Sequence, residues 1–269
     1  MERPFVEIDH VWMRYGGSGG TLALRDATLS VQKEEFVAVV GPSGCGKSTL
    51  MRLVTGLWPA SSGSVIVAGK EVDRPLSIAG MAFQNPTLLP WRSVLNNVML
   101  PLEVVKPHSS RLRRERPAYE DQARELLELV GLKGFEKKNP WQLSGGMQQR
   151  ASLCRALIHQ PDLLMLDEPF AALDVFTRED LWGVLQNVWM KRKPTVILVT
   201  HDLREAIFLA DRILVMTSRP GRIMIERTVE LPRPRTPEMT YSPYFQTLVQ
   251  ELRGYIDEAR RGEEVAHAA

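Results

Sequence analysis

Apolar residues along this chain follow two rhythms. Short runs of strand length recur at FVEI (5–8), FVAVV (36–40), SVIVA (64–68), IAGMAF (78–83), DLLMLD (162–167), TVILVT (195–200) and RILVM (212–216). Longer stretches with helical spacing lie among them: KSTLMRLVTG, YEDQARELLELVG, MQQRASLCRALIH, TREDLWGVLQNVWM and LREAIFLAD. Buried strands alternating with helices predict an α/β fold built on a parallel sheet with crossover helices. Residues 1–35 and 60–80 read differently. They look like short strands joined by turns such as GGSGG (16–20) and SSGS (61–64), an antiparallel flank. From about 86 to 160 no convincing strand occurs, which predicts a helical subdomain inserted into the core. Within it the basic, proline-punctuated segment KPHSSRLRRERP (106–117) reads as a solvated loop. Beyond Arg219 the chain turns proline-rich (ELPRPRTPEM). It closes with the amphipathic stretch FQTLVQELRGYIDEARR and a tail expected to fray.

Composition narrows the function classes. The 269 residues can bury an ample core as one large domain or two small ones. Apolar residues make up 44% and charged residues 25%, ordinary for a globular protein, and a net charge of +2 gives no argument for a nucleic-acid partner. No apolar run has spanning length, and the opening residues lack a signal-peptide core. Two cysteines, Cys45 and Cys154, make neither a disulfide framework nor a metal cluster. These features predict a reducing, cytosolic setting, with any membrane served from the water side.

The sharpest chemical signal is GPSGCGKST, Gly41 to Thr49, which fits G-x-x-x-x-G-K-[ST] between an apolar run and a helical one. Gly41, Gly44 and Gly46 let the backbone curl so that successive N–H groups, those of Pro42's neighbours Ser43 to Thr49 included, face phosphate oxygens. Lys47 supplies a point charge and the Ser48 hydroxyl a Mg²⁺ ligand. Cys45, among these N–H groups and beside Lys47, is expected to favour the thiolate. A second signal is DLLMLDEP, an apolar strand ending in two carboxylates. Asp167 fits a Mg²⁺ ligand and Glu168 a general base for an attacking water. TVILVTHD repeats the pattern. His201 is a candidate γ-phosphate contact or a packed histidine, and Asp202 is a candidate cap of the next helix. Gln84, at the end of GMAFQ, is a polar residue at a third strand tip and carries little by itself. LSGGMQQR (143–150) is a small-residue turn feeding a helix, a second anion site but one without a lysine.

Taken together, these residues resemble the ATP-binding subunits of ABC transporters over nearly the whole chain. The order is Tyr15, the Walker A loop, Gln84, the LSGGMQQ signature, Walker B with Glu168, AALD at Ala171 to Asp174, and His201. The resemblance implies a P-loop NTPase core with an antiparallel β flank and an inserted α-helical subdomain. It divides the single nucleotide-binding domain into 1–85 with 161–220, 86–160, and a C-terminal extension 221–269. It implies a head-to-tail homodimer sandwiching two ATP molecules, with Ser144, Gly145 and Gly146 of one copy meeting the γ-phosphate held by the other. Tyr15 would stack on adenine, a place that core packing could equally explain. Gln84 would touch Mg²⁺ or the attacking water, Asp174 would line the interface, and His201 would hold γ-phosphate and orient Glu168. Ala171 departs from the serine or glycine of many relatives. The implied partners are transmembrane permease subunits and, indirectly, a solute-binding protein, with the chain peripheral on the cytoplasmic face of the cell membrane. FQNPTLLPWRSVLNNVMLPLE and SRPGRI resemble the ATPases of nitrate, sulfonate and taurine importers. An importer of another small solute and a soluble non-transport ABC ATPase are the alternatives. The apolar stretch Pro86, Leu88, Leu89, Pro90 and Trp91 reads either as a groove for a partner helix or as subdomain core.

Overall fold

The computed structural model describes residues 3–16 and 19–267. Gly17 and Ser18 of the expected GGSGG turn, and the last two residues of the tail, lie outside the described residues. The chain falls into two compact units, Met1–Leu76 with Lys191–Ala269, and Ser77–Met190.

In the first unit the antiparallel flank is present. It orders β2 (Leu22–Val31), β1 (Val6–Arg14), β4 (Ser62–Val67) and β5 (Lys70–Glu71) side by side. Its first two strands are longer than expected, at nine and ten residues. The apolar alternation that marks them is broken at His10 and Asp26, which both take left-handed backbone angles (φ 48° and 50°) where the register shifts. The same unit contains the parallel strands. β3 (Phe36–Val40) pairs in parallel with β8 (Thr195–Val199) on one side and β9 (Arg212–Met216) on the other. β3 and β8 are buried at every position, which is why they read as unbroken apolar runs. β10 (Ile223–Thr228) adds an antiparallel edge to β9. It was not visible as a strand because its residues are half-buried or exposed and follow the Pro220–Gly221 turn.

Three helices complete this unit: α1 (Lys47–Val54), α7 (Leu203–Leu209) and α8 (Pro243–His267). The tail expected to fray continues α8 as far as His267. The proline-rich segment is anchored by Arg235. Its buried guanidinium donates to the carbonyls of Ile207 (2.8 Å), Phe208 (3.2 Å) and Ala210 (2.7 Å). These belong to the last turn of α7, whose carbonyls lack intrahelical donors. Burial pulls the Arg235 guanidinium down to about 10.

The second unit holds β6 (Ala79–Ala82) and β7 (Leu163–Asp167), paired in parallel, with α2 (Val94–Val98), α3 (Leu100–Val104), α4 (His108–Leu129), α5 (Gly145–Leu157) and α6 (Val175–Arg192), which ends just past the division. Residues 86 to 160 contain no strand among the described residues. The basic segment is not a loop. Residues 108 to 117 form the first turns of the 22-residue α4, which continues through Pro117. Pro117 is exposed, so the carbonyl of Arg113, which loses its i+4 donor there, can be hydrated. Among the described residues, no helix is long and apolar enough to cross a membrane.

Candidate active site and family

The phosphate-cradle residues sit on a loop at the carboxyl end of β3. Gly44 and Gly46 take left-handed angles (φ 76° and 108°), and Gly46 caps α1 without any side-chain hydrogen bond to its first turn. A Cβ on Gly46 would lie 2.7 Å from Leu24 Cδ2 and 3.1 Å from the Ala23 carbonyl, so the flank strand itself demands a glycine there. Lys47 is the first residue of α1 and is buried. Its Nζ donates to the carbonyls of Gly41 (2.9 Å) and Pro42 (2.8 Å). The loop therefore holds the ammonium at its own centre, among backbone groups aimed inward.

Cys45 overturns the thiolate expectation. It is 1% exposed, and burial raises its thiol above the usual range, although the Lys47 charge pulls the other way. Desolvation wins because the thiolate loses water on all sides.

Tyr15 follows β1 and is half-buried. Its hydroxyl shares a 2.5 Å hydrogen bond with Thr49 Oγ1, and its ring meets Trp58 edge-on with centroids 4.9 Å apart. The ring thus borders the first turn of α1. Beyond β8, His201 is exposed, and Asp202 caps α7 by accepting from Arg204 N (2.9 Å) and Glu205 N (3.3 Å), as expected.

In the second unit the pairing of β6 with β7 brings two expected residues together. The strands run in parallel with Ala82 opposite Leu166, so their polar tips emerge side by side. Gln84 Nε2 donates to Glu168 Oε2 at 3.0 Å. Asp167 is the last, buried residue of β7. Glu168 takes φ 46°, a left-handed angle that costs a side-chain-bearing residue on the order of 1–3 kcal/mol. The turn after it is closed by Ala171 N donating to the Glu168 carbonyl (3.2 Å).

The signature residues open α5. Ser144 is its cap, with Oγ accepting from Met147 N (3.3 Å). Ser144 and Gly145 are exposed, and a Cβ on Gly145 would meet nothing within 4 Å. Gly146 differs: a Cβ there would lie 2.8 Å from Leu173 Cδ2, so this glycine lets the AALD turn pack close. Asp174 accepts from Thr177 N (3.0 Å), and hydrogen bonding from the Thr177 side chain, with this backbone bond second, holds its carboxyl below the ordinary range.

Two polar residues that sequence patterns did not flag support the loop after Gln84, and a third is buried near it. Asn97 is fully buried, accepts from Leu89 N (2.7 Å) and donates to the carbonyls of Leu89 and Arg92 (both 3.0 Å). Arg155 donates to the carbonyls of Pro86 (2.7 Å) and Thr87 (3.0 Å). His159 is buried behind them, where desolvation lowers its pKa. The loop they hold is surface and not core: Pro90 and Trp91 are exposed, Trp91 to 74%, and Leu88 and Leu89 are half-buried. Only the asparagine pair Asn96–Asn97 inside a short apolar helix hinted at this arrangement.

Comparison with known proteins places these features in a family. The family model described as "ABC transporter" matches residues 24–171, more than half of the chain. The aliphatic sulfonates import ATP-binding protein SsuB of Bacillus licheniformis is 44% identical, with 88% of each chain covered. The nitrate import ATP-binding protein NrtD of Synechococcus elongatus is 45% identical over 88% of this chain and 86% of its own. Among solved structures, the dimeric post-hydrolysis state of the ATP-binding cassette MJ0796 bound to ADP and Pi superposes with a TM-score of 0.74 at 29% identity. It covers 84% of this chain and all of its own. With the P-loop before α1, the strained glutamate after β7 and the signature at the start of α5, these matches establish that the chain belongs to the ABC transporter family and is a P-loop ATPase.

Proposed function

We propose that the chain is the motor subunit of an importer for small anions of the sulfonate or nitrate class, acting as one nucleotide-binding domain in a head-to-tail pair of copies. The start of α5 carries this reading. It offers backbone N–H groups, a serine and a helix dipole at an exposed surface, with a glycine that nothing in its own chain requires. Such a site suits an anion presented by a second copy.

The residues divide the work. The loop from Gly41 to Thr49 wraps the phosphates with backbone N–H groups, Pro42, Ser43 and Cys45 shaping the turn. Lys47 exchanges two loop carbonyls for phosphate oxygens. Tyr15 borders the first turn of α1, where a purine can stack. Ser48 on the first unit, and Gln84 and Asp167 on the second, each carry an oxygen donor of the kind Mg²⁺ takes. When bound, the ion neutralises charge developing on the phosphate oxygens. Glu168 takes a proton from the attacking water. Gln84 steadies that carboxylate through its amide N–H, leaving its own carbonyl for the cation or the water. His201 holds the γ-phosphate. Ser144, Gly145 and Gly146 close the partner's site, with Asp174 at the seam.

Coupling to permease subunits, and through them to a solute-binding protein, would use the surface behind Gln84. There Phe83, Thr87, Leu100, Val104, Arg155 and His159 line a cavity of about 280 Å³. Docking at that cavity would place the chain peripherally on the cytoplasmic face of the membrane.

Glu168→Gln is the direct test of the chemistry. It should preserve ATP binding and lower hydrolysis by about 10²–10⁴, the usual contribution of a general base; normal turnover would remove Glu168 from that role. For the cargo, a deletion strain should fail to grow on alkanesulfonates as sole sulfur source or on nitrate as sole nitrogen source. Normal growth on both, with a defect on an unrelated nutrient, would refute the anion class.

A further inference from the structure

The basic first turns of α4 have no part in ATP chemistry. Residues 106 to 117 carry five cations, Lys106, Arg111, Arg113, Arg114 and Arg116, against the single carboxylate of Glu115. The helix shows which way they face. His108, Leu112, Glu115 and Tyr119 are half-buried and Ala123, Leu126 and Leu127 buried, spaced three or four apart along one side. His108 fixes that side by stacking edge-on against Tyr119 and sharing a 3.1 Å hydrogen bond with its hydroxyl. Ser110, Arg113, Arg114 and Pro117 lie on the opposite, exposed side, with Lys106 just before the helix.

The local energetics of this end are unfavourable. Cations in the first turns oppose the positive end of the helix dipole. The first turn contains no acidic residue, and no side chain caps it. Arg111 with Arg114, and Arg113 with Arg116, are like charges at i,i+3. Glu115 is shared: Arg114 donates to it at 2.7 Å, and the Arg111 charge also bears on it. Among the described residues, Lys106 and Arg113 make no ion pair.

We propose that this end of α4 docks on the anionic phospholipid headgroups of the membrane in which the transporter sits. A headgroup plane would supply the negative charge that these first turns lack. The choice of a lipid plane rests on the transporter reading and on how charge is laid out along α4. The same helix carries Glu120, Asp121, Glu125 and Glu128 further on against the single cation Arg124, and Glu120 pairs back to Arg116 at 2.9 Å. A polyanion lying along the helix would be repelled by that second half, whereas a plane met at its first turns touches only the basic end.

The test uses the full chain with vesicles of pure phosphatidylcholine and of phosphatidylcholine mixed with phosphatidylglycerol, read by cosedimentation. Wild-type protein should bind the mixed vesicles and not the neutral ones, and about 0.5 M salt should abolish the binding. Each cation removed should weaken binding about fivefold, so the double variant Arg113→Gln, Arg114→Gln should lose about 25-fold. The double variant Arg113→Glu, Arg114→Glu should bind still less. Its melting temperature should hold or rise, since acidic residues suit a helix N-terminus, which controls for folding. Equal binding to both vesicle types, variants that bind like wild type, or displacement of the vesicles by a duplex oligonucleotide at matched phosphate would each overturn the proposal. Basal MgATPase, measured in parallel, separates the two readings. A wild-type chain that hydrolyses no ATP sinks the motor, while hydrolysis with charge-insensitive vesicle binding sinks only the membrane contact.

Discussion

Two helices of this chain begin at glycine-rich turns, and they begin differently. α1 opens under a loop whose ammonium, Lys47 Nζ, is buried and held by the loop's own carbonyls, and its glycines are required by the backbone and by Leu24. α5 opens at the surface, capped by Ser144, with Gly145 unconstrained by its own chain. Both present helix N-termini to anions. Only the first carries a full charge and a preformed shape, which suits unaided phosphate binding. The second has only dipoles, which in the proposed function act on a phosphate fixed by the second copy. On that reading the contrast is between holding a nucleotide and sensing one.

Four experiments would break or sharpen that contrast, and the largest effect falls on α5. Ser144→Arg should leave nucleotide affinity of the isolated chain unchanged and cut hydrolysis by about 10²–10³, the scale for losing a donor to a developing oxyanion. Mixing it with Lys47→Ala should restore part of the activity, because one composite site per mixed pair stays intact; affinity lost in Ser144→Arg itself would place the signature in cis. Lys47→Ala should weaken ATP binding about 10- to 100-fold in a fluorescent-nucleotide titration, as expected for losing hydrogen bonds from a charged donor. Near-normal affinity would mean that backbone N–H groups alone hold the phosphates.

Two paired glycine changes come next. Gly46→Ala should cost about 1–3 kcal/mol in denaturant unfolding, through its positive φ and the clash with Leu24 and Ala23. Gly145→Ala should leave monomer stability unchanged or slightly raised while lowering hydrolysis. If both behave alike, the two turns are not built for different purposes.

The smallest effect concerns the cysteines. Burial raises the Cys45 thiol, and Cys154 still more strongly. A raised folded value means that the associated stability is complete below the unfolded thiol pKa of about 8.5 and declines as pH climbs through the folded value. At pH 8, maleimide should therefore modify both cysteines slowly and at rates set by unfolding. ATP should slow both equally by stabilising the folded state. Fast labelling of Cys45 alone would show that the α1 loop opens by itself.

Legibility from the sequence followed burial. β3, β7 and β8 were readable because strands covered on both faces are continuous apolar runs. β10 was not, because a half-exposed edge strand has no such run, and β1 was truncated because the bulge at His10 breaks its alternation. The basic turns of α4 were misread because Pro117 and a dense charge run are signals of a loop. The 22-residue helix overrides them through the inward line from His108 to Leu127, a pattern visible only once the neighbours are in place. The site motifs were plain, since a glycine-lysine loop or paired carboxylates after an apolar strand have few other uses. Their supports, Asn97 and Arg155, were not, because a buried amide and a buried guanidinium are recognised by the carbonyls they meet.

The sequence by itself determined the chemistry available: which loop can cradle phosphate, which carboxylates stand at strand tips, and which helix starts without a cation. These are local matters, set by residue type and spacing within a few positions. Tertiary structure decided what state those groups are in. It buried Cys45 and raised its thiol pKa by desolvation, set Gln84 beside Glu168 by pairing β6 with β7, and turned Glu168 into a strained left-handed conformation. Desolvation, register and backbone strain depend on atoms distant in the chain, and no local pattern encodes them.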